Sequence, residues 1–198
     1  MARRPDPGIR ARLRDQAADY VLLHGLGDVT LRPMAKALKT NARMLIYHFG
    51  SREQLMHEVL GCIREREDAQ IQAWSRAGKT DRTMRQFLRW FWRRSATTQA
   101  RPAIRLLFEL YALALRNPDE YPGVLEDPLT YWQKLTAHTG ISGKPNAVEA
   151  TVLLAATRGL LLDFCATGDR SRVERAMEAL AEFVEWRAEV QASKRVVP

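Results

Sequence analysis

The fold is decided by the stretch TLRPMAKALKTNARMLIYHF at residues 30–49, whose pattern predicts two short helices around a turn. Thr30 is a suitable N-cap for the first helix, and Asn41 is suited to cap the second. The first helix has apolar residues at helical spacing, namely Leu31, Met34, Ala35 and Leu38. In the second, Leu45 and Phe49 lie four positions apart. Helices this short are unstable alone, so both are expected to pack on a further helix.

Helical spacing continues on both sides of this stretch. A preceding helix is predicted from about Ile9 to Gly25, and Ser51 with Gln54 forms a capping box that opens a following one. Further helices are expected near residues 84–91, 104–115, 121–138, 147–166 and 173–184. No alternating run of β-branched residues and no hairpin turn occurs, so the prediction is an all-α fold of about nine helices.

The positive charge is concentrated at the amino-terminal end. The chain has 198 residues and a net charge of +8; residues 1–55 contribute +5, and the remaining 143 residues +3. Composition is that of a globular protein, which argues against disorder and collagen-like repeats. A basic segment on a near-balanced body favours an anionic partner, first of all nucleic acid, although a basic face kept for solubility is the alternative.

The second short helix is a candidate for insertion into a DNA groove. It is predicted to present Ala42, Arg43 and Tyr47 outward, and an arginine at a helix start suits two hydrogen bonds to a guanine. Backbone phosphates are expected at its margins, near Lys36, Lys39 and Arg52. An ordinary helical hairpin with a solvated charged face explains the spacing equally well.

Residues 38–55, LKTNARMLIYHFGSREQL, resemble the recognition segment of the TetR/AcrR family of bacterial transcriptional regulators. The preceding stretch at residues 25–35, GLGDVTLRPMA, is similar to the family's sequence pattern immediately before that segment. The resemblance covers residues 9–58. It implies a DNA-binding domain of three helices, here 1–55, and a helical effector-binding and dimerisation domain, here 56–198. Family members typically act as homodimeric repressors that leave a palindromic operator when a small molecule binds.

Spacing and resemblance together give a set of candidate DNA contacts. At His48 the family commonly has a histidine from which a phosphate contact is expected, with packing as the alternative. The amino-terminal arm, with Arg10, Arg12 and Arg14 behind it, is a candidate for the minor groove or else a solubilising tail. The candidate set is Thr30, Arg32, Thr40, Asn41, Ala42, Arg43, Tyr47, His48, Arg52, Arg3 and Arg4.

Residues 156–169, ATRGLLLDFCATGD, resemble the family's penultimate helix and the turn after it. The resemblance implies that the last two long helices pair with their copies in a homodimer. Small residues there permit close helix approach and large ones supply apolar area, although half of them would serve as intrachain core. The candidate interface residues are Ala155, Gly159, Leu160, Phe164, Leu180, Phe183, Val184 and Trp186.

The middle helices are rich in aromatic residues, which suit a cavity for a hydrophobic or aromatic effector. An aromatic stripe at helical spacing is also typical of plain core. Glu109 lies in an apolar run and is a candidate for facing a cationic ligand, or for pairing with Arg105. The candidate effector residues are Phe87, Trp90, Phe91, Phe108, Glu109, Tyr111 and Trp132.

Enzymatic signatures are missing from the sequence. The four histidines and two cysteines, Cys62 and Cys165, show no metal-ligand spacing, and there is no nucleophile elbow, phosphate loop or dinucleotide fingerprint. No cofactor, metal, catalytic residue or membrane segment is expected, and the absence of a leader predicts a cytoplasmic protein. A regulator without a small-molecule effector and an unmarked helical enzyme remain as alternatives.

Overall fold

The computed structural model describes residues 6–27, 29–77, 83–121, 124, 127–138 and 147–196. All regular secondary structure in these residues is helical, with nine α-helices, one 3-10 helix and no strand. The predicted all-α fold of about nine helices is thereby confirmed.

The first four helices begin and end close to the positions that the sequence predicts. They are α1 (Pro7–His24), α2 (Leu31–Ala37), α3 (Ala42–Phe49) and α4 (Arg52–Arg76). The Asp6 carboxylate accepts from the Gly8 amide at 2.8 Å at the start of α1, and the Ser51 hydroxyl accepts from the Gln54 amide at 3.1 Å at the start of α4. Thr30 occupies the N-cap position of α2 as predicted, but its side chain accepts no capping hydrogen bond.

Gly50 permits the abrupt change of direction between α3 and α4. Its φ of 85° lies in the left-handed region that favours glycine. A Cβ at this position would meet Oε1 of Gln54 at 2.0 Å. A side chain at this position would therefore strain the backbone and displace the side-chain amide of Gln54.

The last five helices are α5 (Met84–Ser95), α6 (Arg101–Arg116), α7 (Asp127–His138), α8 (Ala147–Thr167) and α9 (Arg170–Val196). Thr83 and Gln86 form a capping box at the start of α5. Helix α5 packs against α9, and α8 packs against α6, α7 and α9. Buried side chains of this part include Phe87, Leu88, Trp92, Leu161, Phe164, Val173 and Met177.

Helix α7 is shorter than the helix predicted over residues 121–138. A single 3-10 turn, Pro118–Glu120, follows α6, and α7 itself begins at Asp127. Pro128 is its second residue, where the missing N–H costs nothing, whereas a proline inside a helix removes a backbone hydrogen bond. The proline therefore fixes where this helix begins.

The chain divides into two compact units, Met1–Ala77 and Gly78–Pro198. This division lies later than the predicted one at residue 55. The physical reason is α4, which packs along α1 and buries Leu55, Val59 and Cys62. Helix α4 therefore belongs to the first unit, although the sequence motif ends where it begins.

Candidate nucleic-acid interface

The inner faces of α2 and α3 are held by apolar burial. Met34, Ala35 and Leu38 are buried on the α2 side, and Leu45 and Phe49 on the α3 side. These residues were predicted to face inward, and both helices also pack against α1. Burial of one face fixes which residues of α3 point outward.

The turn between α2 and α3 is tight and strained at one residue. The Thr40 amide donates to the Ala35 carbonyl at 2.9 Å, which closes the carboxyl end of α2. Lys39 has a φ of 54°, and it is the one non-glycine residue in the left-handed region among those described. Left-handed backbone disfavours any residue with a Cβ, so the turn keeps Lys39 at a conformational cost.

The outer face of α3 presents a cation beside apolar groups. Arg43, Met44 and Tyr47 are exposed, whereas Ala42 is half-buried. Asn41 caps the helix, its side-chain oxygen accepting from the Met44 amide at 2.9 Å. The amides of Ala42 and Arg43 precede the first intrahelical hydrogen bonds, which makes this helix start favourable for an anion.

Four exposed cations surround this face. Among the described residues, none of them forms an ion pair, so their charges are available to a polyanion. Arg52 differs, because its guanidinium donates to the Val29 carbonyl at 3.2 Å and thereby joins α4 to the segment before α2. Thr30, before α2, is exposed, and Thr40, after it, is half-buried. The four cations are Arg32, Lys36, Lys39 and Arg43.

The position of His48 corrects one expectation. Its side chain is buried, and neither ring nitrogen has a hydrogen-bond partner in the described part of the chain. The imidazole packs edge-on against the ring of Tyr47, with 5.2 Å between the ring centroids. A phosphate cannot reach a buried ring, so the packing role replaces the expected phosphate contact.

Arginines of α1 are used within the first unit. Nε of Arg10 donates to the His48 carbonyl at 3.0 Å, its guanidinium pairs with Glu58, and it lies over the Phe49 ring. Arg14 pairs with Glu65 at 3.3 Å. Arg10 and Arg14 therefore tie α1 to α3 and α4, whereas Arg12 of the same helix is exposed. Arg3 and Arg4 lie outside the described residues.

Four of the predicted effector residues form one aromatic cluster in the second unit. Phe87 contacts the rings of Trp90, Phe91 and Trp132, with centroids 5.7–5.9 Å apart. Phe87 and Trp132 are buried, and Trp90 and Phe91 are half-buried. Phe108 and Glu109 are half-buried on α6.

Tyr111, the remaining effector candidate, faces a residue that the sequence reasoning passed over. The Arg158 guanidinium lies 4.3 Å from the centre of its ring. Burial is the main cause that lowers the pKa of Arg158 and raises the pKa of Tyr111. The signal that the sequence offers for this pair is a lone arginine, Arg158, inside the largely apolar run at residues 147–166.

The candidate dimer residues fall into two groups. Phe164 and Val184 are buried in the chain itself, and Phe164 packs edge-on against Trp92. These two are intrachain core, which corrects their assignment to an interface. Leu160 and Leu180 are half-buried, and the exposed members are Ala155, Gly159, Phe183 and Trp186.

The exposed members continue into an apolar stripe on α8. The residues of this stripe are alternately four and three positions apart in the sequence, which places them on one face of the helix. Large apolar side chains are exposed here, with Val148 68% accessible and Trp186 of α9 57% accessible. The stripe consists of Val148, Val152, Ala155, Gly159 and Leu162.

An ion-pair network joins α5 to α9. Arg85 reaches Glu178 at 2.8 Å and also pairs with Glu185, and Nε of Arg89 donates to Glu178 at 2.9 Å. Hydrogen bonds from Arg89 and Arg85 lower the pKa of Glu178 to about 2. Nothing in the sequence pattern pointed to this network, because its partners lie about ninety residues apart.

The described residues contain no group of three His, Cys, Asp or Glu side chains that could hold a metal ion. Cys62 is buried, with its Sγ 3.2 Å from the Asp15 carboxylate. Among the described helices, α8 alone is long and apolar enough to cross a membrane. It carries Glu149, Arg158 and Asp163 and packs against α6, α7 and α9.

Comparison of the chain with protein-family models gave no match, and comparison with curated proteins gave none either.

Proposed function

We propose that this protein is a DNA-binding transcriptional regulator of the TetR/AcrR type. It binds a palindromic operator in the cytoplasm as a homodimer, represses the adjacent gene and leaves the operator when a small molecule binds. In this proposal α2 and α3 are a helix-turn-helix, and α3 enters the major groove with Arg43 facing a base edge.

The observation that carries the proposal is the two-sided character of α3. Leu45 and Phe49 anchor its inner face, while Arg43, Met44 and Tyr47 stand on its outer face. A major groove admits one helix, an arginine recognises guanine O6 and N7, and apolar side chains contact thymine methyl groups. The outer face of α3 offers both kinds of group at its first turns.

The cations around α3 support binding to duplex DNA rather than to a small anion. Arg32, Lys36 and Lys39 are exposed along α2 and the turn that leads to the helix start capped by Asn41. Such a spread matches phosphates on both edges of a groove, where each contact releases counterions.

The apolar stripe on α8 and the exposed Phe183 and Trp186 on α9 support the homodimer. Two neighbouring helices that both expose large apolar side chains form a surface that favours a self-complementary contact. A two-fold dimer would present two copies of α3 to half-sites about 34–36 Å apart, or a multiple of that distance.

The proposal is tested by selecting bound duplexes from a random pool with the purified full chain, then measuring affinity for the enriched site by fluorescence anisotropy. We expect an enriched site with two-fold symmetry and an affinity that falls steeply as salt is raised.

Arg43→Ala should lose about 1–3 kcal/mol of binding and relax selectivity at one position per half-site. Arg93→Ala, which removes an exposed arginine from α5, is the matched control and should bind as the parent does. Failure to enrich any sequence, or binding that is insensitive to salt, would contradict the proposal.

A further inference from the structure

Tyr111 on α6 and Arg158 on α8 form an unusual pair within the second unit. The guanidinium carbon of Arg158 lies 4.3 Å from the centre of the Tyr111 ring, over its face. Stacking of this kind attracts the cation weakly and leaves the N–H groups at the guanidinium edge free to donate elsewhere.

The charge of Arg158 is not neutralised by the described residues. No carboxylate among them lies within ion-pairing distance of its guanidinium, whereas other arginines of the same unit, such as Arg85 and Arg172, reach carboxylates. Arginine does not lose its proton in proteins, so a half-buried guanidinium keeps a charge that burial disfavours. A bound anion would relieve that cost.

The hydroxyl of Tyr111 is an independent sign of a missing partner. Its oxygen is buried and has no hydrogen bond of normal geometry among the described residues, and the one charged group beside it that shifts its pKa is the Arg158 guanidinium. Burial raises the pKa of Tyr111, so the group remains an O–H donor at neutral pH. Buried hydroxyls normally have a partner, and one that lacks it marks a place for a ligand acceptor.

We propose that Arg158 and Tyr111 bind the carboxylate of an amphipathic organic acid, and that this acid is the effector of the regulator. The inference rests on the proposed function for its regulatory meaning, but not for the binding itself. The guanidinium supplies paired N–H donors to the two carboxylate oxygens, and the tyrosine hydroxyl donates to one of them.

The surroundings select a monoanion with an apolar body. A single cation balances one negative charge, and a doubly charged phosphate would leave an uncompensated charge in a partly dry site. Phe108 lies one turn before Tyr111 on α6, and Leu154 lies one turn before Arg158 on α8. Both are half-buried apolar residues on the faces that carry the pair, and they suit the body of the ligand.

The experiment measures thermal unfolding of the full chain in the presence of 1-naphthoate, decanoate and the uncharged 1-naphthamide, each at about 10 mM, because a ligand that binds the folded state raises Tm by mass action. The two carboxylates should raise Tm and the amide should not.

Isothermal titration with 1-naphthoate should give an affinity that falls about 30-fold or more in Arg158→Met and about tenfold in Tyr111→Phe. Arg158→Lys keeps the positive charge but loses the paired N–H donors of the guanidinium, so its affinity for 1-naphthoate should lie between those of Arg158→Met and Tyr111→Phe. Arg93→Met should bind 1-naphthoate as the parent does.

Several outcomes would overturn the inference. They are no Tm shift with either carboxylate, an equal shift with the amide, or an unchanged shift in both Arg158 variants. Dissociation of a dimer by Arg158→Met would assign the guanidinium to an interface and would contradict the proposal as well. Binding of the carboxylate is measured on the protein without DNA. Failure of the protein to bind an operator would therefore not contradict the proposed carboxylate site. Release of the selected duplex by 1-naphthoate in the parent, and not in Arg158→Met, would establish the regulatory step.

Discussion

Nε of Arg10 donates a hydrogen bond to the carbonyl oxygen of His48 at 3.0 Å and so joins α1 to the last turn of α3. The same guanidinium pairs with Glu58 of α4 and lies over the Phe49 ring. One side chain therefore fixes three helices of the first unit relative to one another. In the proposed function it sets the angle at which α3 leaves the body of the protein.

Arg10→Leu should lower the free energy of unfolding by about 1 kcal/mol, because it removes a charge-assisted hydrogen bond at a partly exposed site. If Arg10 orients α3 and does not contact DNA, operator affinity should fall while the slope of log affinity against log salt stays unchanged. Denaturant titration and anisotropy at several salt concentrations measure the two quantities. A slope reduced by about one would instead make Arg10 a phosphate contact.

Lys39→Gly should raise the free energy of unfolding by about 0.5–1 kcal/mol, because glycine accepts the left-handed φ of 54° without strain. It also removes a cation beside α3, so operator affinity should fall. Lys39→Ala is the matched control, since it loses the charge and keeps the strain. Equal stability of the glycine and alanine variants, measured by denaturant titration, would show that the turn is not strained at this residue.

Glu178 makes stability depend on acid pH. Its pKa is lowered to about 2 by Arg89 and Arg85, so its contribution is present above the ordinary value of 4.5 and is lost as pH falls through the folded value. Glu178→Gln should cost about 1 kcal/mol at neutral pH, a figure reduced by solvent screening because the side chain is 35% exposed. Urea titrations at neutral pH and near pH 3 should show a smaller difference between parent and variant at the lower pH. A constant difference across that range would assign the effect to packing.

Trp186→Glu should convert a dimer into monomers. The exposed Trp186 and Phe183 rings lie 5.8 Å apart on α9, and a carboxylate between two such surfaces would be buried without a partner. Sedimentation velocity should show dimer association weakened by about 2 kcal/mol or more, as for a central interface residue. Leu115→Glu on α6, where the leucine is 71% exposed, is the control and should leave the oligomeric state unchanged. Equal sedimentation of parent and Trp186→Glu would remove this face from the dimer hypothesis.

Local signals in the sequence were sufficient for most of the first unit. Gly25 and Gly50 end helices, Asn41 and Ser51 begin them, and these residues act on their immediate neighbours, so position along the chain predicts their effect. The same spacing predicted that Leu45 would be buried and Arg43 exposed. Thr30 shows the limit of this reasoning, because a residue type suited to capping does not ensure the side-chain geometry.

The remaining errors concern contacts between residues distant in sequence. Nothing local distinguishes the buried His48 from an exposed one, since its burial depends on how α3 packs. Phe164 is core because Trp92 of α5 meets it, and Arg158 stacks on Tyr111 of α6. Helical spacing predicts which residues share a face, but it does not predict which other helix covers that face.

The central claim is that Arg43 at the start of α3 reads a guanine in the major groove. It is tested most directly by replacing guanines of the selected duplex one at a time with 7-deazaguanine, which lacks the N7 acceptor, and measuring affinity for the parent and for Arg43→Ala. The account predicts that one replacement per half-site weakens the parent by about tenfold and leaves Arg43→Ala unaffected, since the contact is already absent there. Insensitivity of the parent at every guanine, or equal sensitivity of both proteins, would contradict it.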